Sequence, residues 1–115
     1  MPSFKIDLST AVAFVAVPPT YKIVNRETQE IAIDRETKGK MMTVGLTIAD
    51  DGTADLLTVN VPESGIPANL GVGMPVAVTG LRARDWENDF NGVKRHGISF
   101  RALAVTSLVP AAAKG

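Results

Sequence analysis

The chain has 115 residues, of which 45% are hydrophobic and 21% charged, and its 12 Lys and Arg balance 12 Asp and Glu. This length suits one domain, predicted over residues 1–109, with a flexible tail over 110–115. The lack of cysteine excludes disulfides, Cys-ligated zinc and thiol nucleophiles. Because the longest apolar run, residues 11–19, is about half a membrane-spanning helix and no signal peptide is recognisable, we expect a cytoplasmic protein without membrane contact.

Alternating apolar residues predict strands in the first third of the chain. Residues 4–8 alternate with period 2, and residues 11–17 form a short apolar strand. Proline cannot donate a ladder hydrogen bond, so Pro18 and Pro19 are expected to end that strand. Residues 21–33 predict an edge hairpin, and the charged run 34–40 predicts a loop.

The clearest hairpin signal covers residues 41–61. Residues 41–48 and 57–61 both alternate, and an Asp-Asp-Gly turn at 50–52 separates them because Gly52 can adopt a positive φ. Residues 66–70 could form at most one short helical turn within a segment rich in proline and glycine.

Two long strands are predicted in the last third of the chain. The first runs over residues 76–86, and the second returns over 93–108 after a polar tip with an Asn91-Gly92 turn pair. About five or six short-spaced strands without a long helix predict an all-β fold, as a small barrel or sandwich.

A cationic and aromatic constellation lies on these two strands. Period 2 places Arg82, Arg84 and Trp86 on one face of the first strand. The returning strand brings three further side chains close across the turn: Lys94, Arg95 and His96. Single-stranded nucleic acid needs this pairing, because cations follow the phosphates while a flat ring stacks on a base. The alternatives are charges that keep a hairpin soluble and a Trp86 that packs in a core or interface.

Two further segments are secondary candidates for the same ligand. Arg35, Lys38 and Lys40 could contact phosphates from the charged loop. The loop also carries Asp34 and Glu36, which favour the alternative of an ordinary solvated loop. Thr58 and Asn60 belong to the small polar face of the 41–61 hairpin, which a nucleic-acid backbone could approach closely; the alternative is an ordinary solvated sheet face.

Residues for catalysis are scarce. His96 is the one histidine, and neither a nucleophile–base pair nor a metal-spaced cluster of His, Asp and Glu occurs. Gly71 and Gly73 are not followed by a phosphate-binding Gly-Lys-Ser/Thr motif. We therefore expect no enzyme activity, no metal and no cofactor.

The segment from residue 73 to 108 resembles bacterial single-stranded DNA-binding proteins. The matching residues are Gly73-Met-Pro-Val-Ala-Val-Thr-Gly-Leu-Arg-Ala-Arg-Asp-Trp86 and Asn91-Gly-Val-Lys-Arg-His96, within about a third of the chain. The resemblance implies a five-stranded oligonucleotide/oligosaccharide-binding barrel with extended β-hairpins, assembled as a dimer or tetramer. It also implies DNA contacts by Arg82, Arg84 and Trp86, and stacking by His96, which stands at a position often aromatic in the family. Thr58 and Asn60 stand at sites where the family carries aromatics.

A second, shorter resemblance involves residues 33–44 and 98–102. Both look like segments of small proteins from actinobacterial integrative plasmids, some of which activate replication, integration and excision. This resemblance implies an accessory protein of a mobile element.

The sequence thus predicts a sequence-tolerant single-stranded DNA-binding protein, accessory to replication, recombination or mobile-element transfer, with RNA open as a second ligand. The alternative is a protein-interaction or regulatory module that has the same barrel and does not bind nucleic acid. The zero net charge and the six aromatic residues favour this alternative.

Overall fold

The computed structural model describes residues 3–25, 27–35 and 37–108, with the backbone alone at positions 88 and 90. Within these residues the chain forms ten strands and one short 3-10 turn. The strands are β1 Ser3–Lys5, β2 Val12–Tyr21, β3 Ile23–Asn25, β4 Glu30–Ile31, β5 Met41–Asp50, β6 Thr53–Pro62, β7 Pro75–Thr79, β8 Arg82–Phe90, β9 Val93–Arg101 and β10 Ala104–Ser107. The all-β prediction is confirmed, whereas the predicted tail at 110–115 lies outside the described residues.

Eight of the described strands form one curled sheet that resembles half a barrel. Their order across the sheet is β1-β8-β9-β6-β5-β2-β7-β10. Neighbouring strands are antiparallel except for β6 and β9, which pair in parallel through Val59 with Phe100 and Asn60 with Arg101. β3 and β4 form a separate two-stranded hairpin at the predicted place.

The inner face of the curled sheet holds the core. Strict alternation in β5 and β6 turns Val44 and Leu46 inward opposite Val59 and Leu57. Leu46 and Val59 are completely buried, and each such side chain contributes about 1.5–3 kcal/mol through burial. The opposite face of the same strands is exposed at Leu56 and Thr58 and covered at Gly45.

Two tight turns connect the long hairpins. Asp51 and Gly52 both have positive φ, at 50° and 79°, and Asn91 and Gly92 repeat this with 51° and 76°. Two consecutive positive φ values give the turn whose twist matches that of paired strands. Both turns lie where the sequence predicts them, and the second fixes the register of β8 on β9.

The prediction that Pro18 and Pro19 end a strand is wrong. β2 runs from Val12 to Tyr21 and crosses both prolines. Its register on β5 shifts between Val17 and Thr20, so the prolines lie in an irregularity where no ladder donor is required.

The predicted helical turn at residues 66–70 is displaced. The 3-10 turn covers Glu63–Gly65, and Ile66 is already extended with φ −113° and ψ 121°. Pro67 explains this difference, because a residue before proline is pushed out of the helical region.

Each of the two long predicted strands is divided in two. The first breaks between β7 and β8 at Gly80, which has a φ of 65°. The second breaks between β9 and β10 beside Leu103, whose side chain lies over Gly80. The two breaks therefore face each other, and together they bend the paired strands.

Candidate nucleic-acid interface

The register of β8 on β9 separates their side chains onto two faces. Arg84 lies opposite Ser99, Trp86 opposite Gly97 and position 88 opposite Arg95. Directly opposed residues of an antiparallel pair share a face. Lys5 joins this face because β1 places it opposite Arg82, which is itself opposite Arg101. We call the following six residues the arginine face: Lys5, Arg82, Arg84, Trp86, Arg95 and Arg101.

The other face of the hairpin is mixed in charge. Glu87 lies opposite His96, and Asp89 lies opposite Lys94. Lys94 and His96 therefore have carboxylates as cross-strand neighbours, and Asp89 offsets the charge of Lys94. The six residues predicted as the primary site are thus divided: Arg82, Arg84, Trp86 and Arg95 share the arginine face, and Lys94 and His96 do not.

A cleft of about 1260 Å³ opens at the base of the arginine face, where the amino-terminal segment meets β7, β8 and β9. Among the described residues, its lining includes five cationic side chains and no acidic one. The cations are Lys5, Lys22, Arg82, Arg84 and Arg101. Asp34 offsets the charge of Arg101, but the other four cations make this surface positive although the net charge of the chain is zero.

Two of these arginines are held in place by hydrogen bonds. Arg82 is half-buried; its Nε donates to Ser3 Oγ at 2.8 Å and its Nη2 to the Ser3 carbonyl at 3.2 Å. Arg101 donates from Nη2 to Asp34 Oδ1 at 2.6 Å. Arg84 lies two residues further along β8, opposite Ser99, and is exposed. These hydrogen bonds fix the guanidinium groups of Arg82 and Arg101 in the cleft, and Arg84 remains accessible to a ligand.

Trp86 is a surface residue with 41% of its area exposed. Its indole packs onto Gly97 of β9, where an added Cβ would come within 2.6 Å of Cζ2 and 3.0 Å of Nε1. Trp86 is therefore not packed in the core, because part of its ring is open to solvent.

Asp34 is a buried carboxylate in a loop that was expected to be solvated. It is 1% exposed, and its second oxygen accepts the Thr37 backbone N–H at 3.0 Å. Burial alone would raise the pKa of Asp34, but the hydrogen bonds from Thr37 and the charge of Arg101 outweigh burial and lower it below 3.8. Asp34 thus attaches the loop to β9.

The loop cations predicted as secondary ligands lie outside the cleft lining. Arg35 and Lys38 are exposed. Lys40 lies over the ring of Tyr21, 5.2 Å from its centroid, a typical cation–π distance. The Tyr21 hydroxyl donates to Glu63, and this hydrogen bond raises the pKa of Tyr21.

The two secondary candidates on β6 have different surroundings. Asn60 lines the cleft beside Arg101. Thr58 is exposed and lies opposite Gly45. Val17 of β2 packs over Gly45, where an added Cβ would come within 2.7 Å of the valine Cβ. The small polar face predicted for this hairpin is therefore interrupted by an apolar side chain.

Metal-binding side-chain clusters and membrane-spanning helices are both absent from the part of the chain that the structure describes. No cluster of three or more His, Asp and Glu side chains there could hold a metal ion. None of its helical segments has the length and hydropathy needed to cross a membrane.

Sequence reasoning missed four charged residues that build the site. Lys5, Lys22 and Arg101 reach the cleft from distant segments, and Asp34 holds Arg101 from 67 residues away. Only Arg101 carried a signal, since it continues the alternation of Arg95, Gly97 and Ser99 along β9.

Comparison of the chain with protein-family models, with curated proteins and with solved structures finds no match.

Proposed function

We propose that this chain binds single-stranded nucleic acid, with single-stranded DNA as its ligand, along the arginine face. One observation carries the proposal: the described lining of one cleft in this neutral chain holds five cations and no acidic side chain, and this surface continues to an exposed indole. Arg101 is ion-paired with the buried Asp34, and the other four cations supply the positive charge of the cleft. Phosphates would follow the arginines from the cleft outward, and a base would stack on Trp86. Stacking of this kind tolerates any base, so binding is expected to be sequence-tolerant.

The strand pairing supports the finer proposal of a five-stranded oligonucleotide-binding barrel. β7 and β8 are separated by two residues, as are β9 and β10, so each pair can be counted as one bent strand. β1 pairs with β8 and β2 pairs with β7, so both lie along the same edge of the bent β7–β8 strand and can be counted as one strand. We infer five strands in which the first pairs with the second and fourth, and the third pairs in parallel with the fifth, as in a partly open Greek-key barrel.

Two neighbours on β9 give a matched test of the proposal. Arg95 lies on the arginine face, whereas Lys94 lies on the opposite face across from Asp89. We expect Arg95→Ala to weaken binding of an oligo-dT strand and to lower the slope of log K against log salt by about one unit, because one phosphate contact is lost. Lys94→Ala removes an equal charge from the other face and is expected to leave the slope unchanged. Fluorescence anisotropy of a labelled oligonucleotide, titrated at several salt concentrations, measures both.

Equal effects of the two substitutions would show that net charge alone attracts the strand and that the arginine face is not the site. Oligo-U in a parallel titration compares RNA with DNA. An accessory role in replication, recombination or mobile-element transfer is part of the same proposal and rests on the sequence resemblances.

A second candidate function, protein interaction through self-association, is favoured by an apolar patch on the outer face of β2, β5 and β6. The register places Phe14 beside Thr47 and Leu56, and Val12 beside Ala49 and Ala54. Val12, Phe14 and Leu56 are 55%, 38% and 65% exposed. Two copies could join here without opposing like charges, because these positions are uncharged.

The substitution Leu56→Asp tests this second candidate. We expect the parent chain to show a concentration-dependent increase in mass by light scattering, and the variant to remain monomeric because a buried carboxylate is costly. Thr106→Asp on β10, which is also exposed, serves as the control and should associate like the parent. A parent that is monomeric at all concentrations would exclude self-association through this patch.

A further inference from the structure

We propose that Gly97 is the positioning residue for Trp86, and that the absence of a side chain at position 97 sets the height and angle of the indole as a stacking surface. This inference rests on the proposed nucleic-acid function and assigns a specific role within it.

The contact between the two residues is too close for any side chain at position 97. The three atoms nearest to a Cβ at this position all belong to the indole: Cζ2 at 2.6 Å, Cε2 at 2.8 Å and Nε1 at 3.0 Å. Real Cβ atoms essentially never approach other atoms this closely. The backbone of β9 is fixed by its strand pairing, whereas the Trp86 side chain is 41% exposed and can turn about its side-chain torsions. A methyl group at position 97 must therefore displace the indole.

Glycine has no local reason to occupy this position. Gly97 lies inside β9. Glycine weakens a strand there, because it loses more conformational entropy on folding than other residues and has no side chain to pack. Its φ is not in the positive range that requires glycine, unlike those of Gly80 and Gly92. The close approach of the Trp86 ring is the feature that accounts for it.

The position of the ring determines what a ligand can contact. The side of the indole formed by Nε1, Cε2 and Cζ2 packs against Gly97, and the remaining exposed surface faces solvent. The neighbouring positions on this face carry Arg84 on β8 and Arg95 on β9. An indole settled against the backbone therefore lies at the level of the cations, where a base can stack while its flanking phosphates meet the two guanidinium groups. A displaced indole loses this alignment.

The test is a double-mutant cycle in the full chain, with the affinity for oligo-dT as the readout. We expect Gly97→Ala to weaken binding at least 5-fold when Trp86 is present and to have no effect in the Trp86→Ala background. Without oligonucleotide, we also expect Gly97→Ala to change the emission maximum and the acrylamide quenching of the single tryptophan. Gly71→Ala adds a methyl where the nearest atom would be Met74 Sδ at 3.8 Å, and is the control for a general effect of adding a side chain.

A purely structural role for Gly97 predicts a different result. Gly97→Ala would then lower Tm but leave the affinity of the folded protein unchanged, or would weaken binding equally in both backgrounds, and either result overturns the proposal. If Trp86→Ala itself does not weaken binding, the proposed stacking site is wrong irrespective of Gly97. If Gly97→Ala does not fold, a Trp86→Phe background keeps the cycle measurable, because the smaller phenyl ring leaves room for the methyl group. In that background Gly97→Ala should weaken binding less than 2-fold. A larger loss contradicts the positioning role.

Discussion

Replacement of Trp86 by alanine is expected to weaken oligo-dT binding by about 1–3 kcal/mol, or roughly 5- to 150-fold in Kd, because one base loses its stacking partner. Trp86 is the single tryptophan of the chain and is 41% exposed, so the parent should also show quenching of its emission when oligonucleotide binds. The anisotropy of a labelled strand measures both proteins on the same scale.

The salt dependence separates stacking from charge in this experiment. Trp86→Ala leaves all the arginines in place, so the slope of log K against log salt should match that of the parent while the whole line shifts to weaker binding. Trp86→Phe retains an aromatic ring and should recover part of the loss. Since the ring also covers Gly97, Tm is measured for each variant to verify that all are folded at the assay temperature. An alanine variant with the parental Kd would remove Trp86 from the site.

The elements with local signals were predictable from the sequence. Alternation located β5 and β6, and the pairs Asp51-Gly52 and Asn91-Gly92 located both tight turns. These signals depend on residues that are neighbours in the chain, and such short-range patterns report the local backbone directly. Departures occurred where a nonlocal feature prevailed, as in β2, where a register shift accommodates Pro18 and Pro19.

The division of the hairpin into two faces was implicit in the sequence. A two-residue turn at Asn91-Gly92 places position 90 opposite 93, and this register puts Arg95 on the side of Trp86 and leaves Lys94 and His96 on the other. The prediction grouped Lys94, Arg95 and His96 because all three lie near the turn, although alternation along β9 places Arg95 on the opposite face from the other two.

The cleft could not be derived in this way. Ser3 and Arg82, which form part of its wall, are 79 positions apart, and Lys22 and Asn60 come from two further segments. Neither periodicity nor turn chemistry specifies which distant segments meet. The same limit explains why Asp34 was assigned to a solvated loop, since its burial depends on a partner in the next-to-last strand.

Removal of the Asp34 side chain is expected to produce the largest loss of stability among single changes at the site. Breaking a fully buried ion pair costs about 3–5 kcal/mol. The Arg101 side chain is 37% exposed and can recover some hydration, whereas that of Asp34 is fully buried. We therefore expect Asp34→Ala to lower the free energy of unfolding by about 2–3 kcal/mol, which corresponds to a fall in Tm of roughly 10 °C or more. Urea denaturation followed by circular dichroism measures the change.

The pH dependence of this loss distinguishes the ion pair from simple packing. The pKa of Asp34 is lower in the folded state than its ordinary value of 3.8, so its charge stabilises the fold fully above pH 3.8, and this contribution disappears as the pH falls through the folded-state pKa. The stability difference between the parent and Asp34→Asn, which cannot titrate, should therefore be constant near neutral pH and shrink below pH 3.8. Asp7 also has a lowered pKa, through the backbone N–H of Ser9, but is exposed, and Asp7→Asn should change stability little at any pH. A difference for Asp34→Asn that persists undiminished into acid would show that its carboxylate charge does not hold the loop on Arg101.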